Sequence, residues 1–96
     1  MSKFLSAAIG FASIAAAVVA SAEPPAGAAS CTGCHPASSR VTSPVPRIEG
    51  LERAAIVRAM QDFRSGQRTG TVMDRIAKGF TDEEVQAIAA WYATQR

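Results

Sequence analysis

Apolar residues fall into three patterns along this chain. Phe4 to Val19 is an apolar, Ala-rich run broken only by Ser6, Gly10 and Ser13. Two later stretches instead place apolar residues at the helical period. In Leu51–Ser65, the positions Ile56, Val57, Met60 and Phe63 share one face, and Glu52, Arg53, Gln61, Asp62 and Arg64 fall on the other. Gly66 stands where a left-handed residue ends such a helix. In Thr81–Gln95, Val85, Ile88, Ala89 and Tyr92 make an i, i+3, i+4, i+7 stripe. Thr81 and Glu84 have capping-box spacing, and Asp82, Glu83 and Glu84 put negative charge at the positive end of the helix dipole. Trp91 flanks the stripe and is expected to pack on an N-terminal helix or on the rim of a bound group.

The remaining segments are short or broken. Glu23–Ser30 predicts a brief N-terminal helix, with Pro25 suited to its first position and Ala26, Ala28 and Ala29 following. Gly27 weakens that helix while letting another approach it closely. Pro36–Gly50 reads as a loop, because Pro36, Pro44 and Pro46 stop helices and hold extended backbone. Gln67–Val72 is a second loop, rich in Thr and Gly. Asp74–Lys78 has room for one helical turn, closed by Gly79. No segment alternates convincingly as a strand, so the predicted class is all-α.

The first pattern reads as an export leader. Lys3 gives a short positive start, the apolar run follows, and Ala20-Ser21-Ala22 is an A-x-A cleavage site. This divides the chain into a signal peptide, residues 1–22, and one domain, residues 23–96, placed in the periplasm. The rival reading is a retained membrane anchor, but a spanning helix needs about 20 apolar residues and this run is shorter. No membrane span is expected in the mature chain. Ten basic against eight acidic residues give a net charge of +2, which is no nucleic-acid footprint.

A domain this small rarely draws more than about 3–5 kcal/mol from its core and needs a staple. The candidate staple lies in Cys31-Thr32-Gly33-Cys34-His35. This is C-x-x-C-H, the attachment pattern of a c-type haem. The two thiols are spaced for thioether bonds to two vinyl groups of one porphyrin, and the imidazole follows on the same side. The chain holds two cysteines and one histidine, all in this motif. A structural zinc site usually takes four ligands, and no fourth is available. A thioredoxin-like pair needs a neighbouring strand, and a Cys31–Cys34 disulfide would close a very short loop.

With His35 used, a second axial ligand from histidine is impossible within one chain. Methionine is the natural partner in an electron carrier, since it raises the reduction potential. Met60 sits on the apolar face of a predicted helix, where methionine commonly fills gaps in a core. Met73 follows a Gly- and Thr-containing loop far from His35 and is the favoured ligand. A ligating imidazole normally gives its second N–H to a carbonyl, and a carbonyl near Pro46 is well placed to accept it. An open sixth site, as in a gas-binding or sensor module, is the alternative.

An early haem motif, a late methionine and a terminal helix together resemble class I cytochromes c. The run Phe63-Arg64-Ser65-Gly66-Gln67-Arg68, and then Thr71-Val72-Met73-Asp74-Arg75-Ile76-Ala77-Lys78-Gly79-Phe80-Thr81-Asp82-Glu83-Glu84, is similar to the cytochrome subunits of flavocytochrome c sulfide dehydrogenase. Pro46-Arg47-Ile48-Glu49-Gly50 looks like the P-x-L-x-G segment of that family, whose proline carbonyl holds the histidine. The resemblance covers roughly residues 46–93 plus the haem motif. It implies one covalent haem c on Cys31 and Cys34, His35 as proximal ligand and Met73 as distal ligand. It also implies a flavin-binding sulfide dehydrogenase subunit as partner. The chain departs from the family in its short, Pro- and Gly-containing segment before Cys31, and in carrying a single haem motif where some members have two domains. A free soluble carrier serving other redox enzymes is the runner-up. The chain has no catalytic constellation of its own, so it is expected to transfer electrons rather than act as an enzyme by itself.

If the haem is the staple, the haem-free chain is largely unfolded. Circular dichroism of that chain should show most of the helical signal lost; full helix content would contradict the expectation.

Overall fold

The computed structural model describes residues 2–15 and 23–95. Among these, four helices and no strand are present: α1 (Ala28–Cys31), α2 (Arg53–Ser65), α3 (Met73–Ala77) and α4 (Asp82–Thr94). The all-α expectation holds. Residues 2–15 take no helical or strand conformation, and Phe4, Leu5, Ile9, Phe11 and Ile14 are exposed. No helix among the described residues is long and apolar enough to cross a membrane. The Ala20-Ser21-Ala22 site lies outside the described residues.

Each helix ends where its sequence gives a physical reason. Helix α4 carries the full capping box. The Glu84 backbone N–H donates to Thr81 Oγ1 at 3.2 Å, and the Thr81 N–H donates to Glu84 Oε1 at 3.0 Å. The same hydrogen bonds hold the Glu84 carboxyl below its usual range. Helix α2 ends at Gly66 with φ 84, the left-handed cap that glycine takes without strain. It begins at Arg53 rather than Leu51, because Gly50 turns the chain at φ 78 and Glu52 is still extended. Helix α1 is also shorter than the alanines suggested. Gly27 has φ 86, so helical geometry starts only at Ala28, and Pro25 lies in the preceding turn rather than at the first helical position. A Cβ at Gly27 would stand 2.8 Å from Phe80 and 3.6 Å from Ile88, which is the close approach expected of that glycine. Helix α3 starts at Met73, one residue before the expected Asp74.

The buried cluster joins Ala28 of α1, Ile56 of α2, and Ile88, Ala89 and Tyr92 of α4. All four stripe positions of α4 are buried as predicted. Trp91 packs against this cluster, which includes Ala28, and it is absent from the wall of the large cavity described below. Tyr92 ties three segments together. Its hydroxyl donates to the Ala28 carbonyl at 2.5 Å, and its own carbonyl accepts from Gly50 N–H at 3.0 Å. Arg64, from the end of α2, donates to the Phe80 carbonyl at 2.5 Å and pairs with Asp82. It thereby closes the base of the segment that carries α3.

Burial pushes the Tyr92 hydroxyl up to about 12, with the Cys31 sulfur and then Glu49 adding to the effect. A native pKa above the ordinary 10.0 means that the contribution is complete below pH 10 and is lost as pH climbs toward 12. Unfolding of the purified protein between pH 9 and 12 should therefore show falling stability, and Tyr92→Phe should flatten that fall. At pH 7 the same substitution should cost roughly 1 kcal/mol, the usual worth of one hydrogen bond.

Candidate haem site

Helix α1 runs directly into the cysteine motif. Cys31 is its last residue, and the turn closes through Cys34 N–H and His35 N–H, both donating to the Cys31 carbonyl at 3.2 and 2.8 Å. Both cysteines are free thiols, Cys31 half-buried and Cys34 exposed. One tight turn thus holds two sulfurs and an imidazole on a single stretch of backbone.

The proline-rich loop then folds back on His35. His35 Nδ1 lies 2.5 Å from the Pro46 carbonyl oxygen. A carbonyl only accepts, so Nδ1 carries the proton and Nε2 keeps its lone pair free for a metal. The expectation of a carbonyl near Pro46 is met by Pro46 itself. The loop is braced by Arg47, whose Nε donates to the Ala37 carbonyl at 3.0 Å and whose guanidinium lies 3.9 Å from Glu49. Arg47 is thus occupied within its own loop.

Cys31, Cys34 and His35 all face a cavity of about 790 Å³. Pockets that enclose sizeable organic ligands run to roughly 300–1,000 Å³. Met73 lines this cavity from the start of α3, so the structure brings together residues 42 positions apart in sequence, from Cys31 to Met73. Met60 lines it as well, from the middle of α2, so it is a wall residue rather than the core filler expected. Ile56 and Ile88 give the cavity an apolar back, while Leu51, Val72 and Ile76 stand half-exposed at 43%, 51% and 43%. A shallower depression of about 440 Å³ between Arg53, Val57 and Gln86 contains no thiol, imidazole or thioether.

This donor set fits a haem. Two thiols, one imidazole with its outer nitrogen free, a thioether and an extended apolar wall match a flat apolar ring with a central iron. No cluster of three His, Cys, Asp or Glu residues suited to a bare metal ion occurs among the described residues.

No family model matches the chain. Individual relatives do. The chain is 44% identical over 63 residues to the cytochrome subunit of sulfide dehydrogenase from Chlorobaculum tepidum, covering 66% of this chain and 57% of that protein. It is 35% identical over 65 residues to the thiosulfate dehydrogenase electron acceptor of Stutzerimonas stutzeri, covering 66% of this chain but only 30% of the relative. Cytochrome c-554(548) of Halomonas halodenitrificans is 30% identical over 69 residues, which is 68% of this chain and 83% of that protein. The chain thus spans little more than half of the first relative and under a third of the second. The third is matched over most of its length. The chain belongs to the cytochrome c family, all-α electron carriers with covalently bound haem c.

Proposed function

We propose that this chain is a periplasmic one-electron carrier with His/Met ligation, and that it accepts electrons from a flavin-binding sulfide dehydrogenase subunit. The observation that carries the reading is the convergence of Cys31, Cys34, His35 and Met73 on one apolar cavity. When bound, the haem supplies a ferric–ferrous couple.

The residues divide the work between them. Cys31 and Cys34 fix the group covalently through their sulfurs, so the chain keeps its cofactor in either redox state. His35 offers Nε2 to the iron. The Pro46 carbonyl holds the ring by its Nδ1–H, which sets the tautomer and raises the basicity of the ligand. Met73 offers a soft, uncharged sulfur, which favours the reduced state and raises the potential. With His35 and Met73 both held by the protein as donors, little would have to move when an electron passes. Ile56 and Ile88 exclude water from the inner wall. Residues 1–22 act as the export leader, which suits a cofactor attached outside the cytoplasm.

Met73 is preferred to Met60 because it opens a short helix at the end of a loop and can adjust its reach, whereas Met60 is fixed in the interior of α2. Met73→Ala should abolish the sulfur-to-iron charge-transfer band of the ferric protein and open the site to carbon monoxide. Met60→Ala should leave the band in place. A wild type without the band that binds carbon monoxide readily would favour the sensor reading.

The name of the Chlorobaculum tepidum relative supports the sulfide-oxidising partner. The name of the Stutzerimonas stutzeri relative supports a second reading, electron acceptor for a different sulfur-oxidising enzyme. Purification from the native periplasm should yield haem and flavin together, with sulfide reducing the preparation. A flavin-free protein that no sulfide-oxidising flavoprotein reduces would point to a free carrier.

A further inference from the structure

The loop between α2 and α3 closes on the ring of Phe63. Phe63 stands near the end of α2, and Phe63, Gly70 and Met73 all line the large cavity. The loop covers one face of the ring, with the Arg68 guanidinium carbon 4.8 Å from its centroid. Two residues on, Gly70 meets the edge of the same ring. A Cβ at Gly70 would stand 3.0 Å from Phe63 Cε1, 3.3 Å from the Cβ of Met73 and 3.5 Å from the Met73 backbone nitrogen. Unlike Gly27, Gly50 and Gly66, Gly70 has no positive φ. Its missing side chain therefore answers to space and not to backbone conformation.

Carbon atoms pack best at roughly 3.5–4.0 Å, so a methyl group at Gly70 would be pressed between the ring edge and the root of the Met73 side chain. The ring has Arg68 over one face and the cavity beside it, so a filled cavity leaves it little room to turn aside. The other neighbour of that methyl group is Met73 itself. A shift of its Cβ is carried along the side chain to the sulfur.

We propose that Gly70 is a positioning residue for Met73: its bare Cα lets the loop lie against the edge of Phe63, and that contact sets where the thioether enters the cavity. This rests on the reading of Met73 as the distal ligand.

The test compares wild type, Gly70→Ala, Phe63→Leu, Gly70→Ala combined with Phe63→Leu, and Gly66→Ala as holoproteins. Each is read by its sulfur-to-iron charge-transfer band and its carbon monoxide affinity. Overpacking by one methyl group weakens the hold of the thioether, so Gly70→Ala should lose band intensity and bind carbon monoxide roughly tenfold more tightly than wild type. Leucine lacks the ring edge that the methyl group meets. Gly70→Ala should therefore change band and affinity much less in the Phe63→Leu background than in wild type. Gly66→Ala separates positioning from lost stability. A Cβ there meets no atom within 4 Å, but the φ of 84 strains any side chain. That variant should unfold at lower denaturant and keep the band. Should Gly70→Ala fail to accumulate, the combined variant decides: a haem protein with the band supports the role of Gly70, and renewed failure overturns it. An unchanged band and affinity in Gly70→Ala, an equal effect in both backgrounds, or a matching loss in Gly66→Ala would overturn that role alone. A band that survives Met73→Ala would overturn the ligation reading and the role of Gly70 with it.

Discussion

The buried core of this protein borders the cavity. Ile56 and Ile88 belong to the buried cluster and also form the back of the cavity, and Phe80 and Ile48 are shared in the same way. The chain is too short to close that space with its own side chains. Empty apolar space weakens packing because the lining atoms lose their contact partners. Filling it with a large flat apolar group completes the core and the functional site at once. Every other feature is arranged around that constraint. Helices α1 and α3 are short, the loops are long, and the hydrogen bonds of Tyr92 and Arg64 tie the segments beside the cavity to the rest of the chain.

Two of those crossings are decisive. Tyr92 links α4 to α1 and to Gly50, so the turn bearing the two thiols is anchored on the best-specified helix. Arg64 links the end of α2 to Phe80 and Asp82, and so closes the base of the segment bearing Met73. The two sides of the cavity are therefore held separately. On the thiol and imidazole side a tight turn, a buried tyrosine and a proline-rich loop constrain the chain. On the methionine side α3 packs against α2 and buries Ala77, and the Arg64 clamp closes its base.

Much of this was legible from residue order. The α4 stripe, the Thr81–Glu84 box, the Gly66 cap and the Pro46 carbonyl follow from local spacing, and the structure contains all four. Element starts were less legible. Gly50 and Gly27 adopt positive φ and delay α2 and α1, and positive φ answers to tertiary packing as well as to glycine itself. Met60 lines the cavity instead of filling the core, while Trp91 packs on the cluster that includes Ala28. Periodicity fixes a face of a helix but not what that face meets. The Tyr92–Ala28 bond spans 64 residues and the Arg64 clamp spans 16 and 18, so no local pattern could announce them. Gly70 could be noticed only as a loop glycine. Its close approach to Phe63 and Met73 is a property of the folded chain.

The separate anchoring of the two sides bears on how such a centre would work. A carrier needs both axial donors in place in each redox state, so that transfer involves little rearrangement. On the proposed ligation, the Pro46 carbonyl fixes the orientation and tautomer of His35 in the folded chain. Met73 is held differently, at the first position of α3, which packs against α2 through the buried Ala77. On that ligation the covalent bonds and the imidazole come from one side of the cavity and the thioether from the other, so each donor is placed by its own set of anchors and the ring joins them. The exposed Val72 and Ile76 lie beside Met73, so an accessible apolar part of the cavity wall stands at the thioether side.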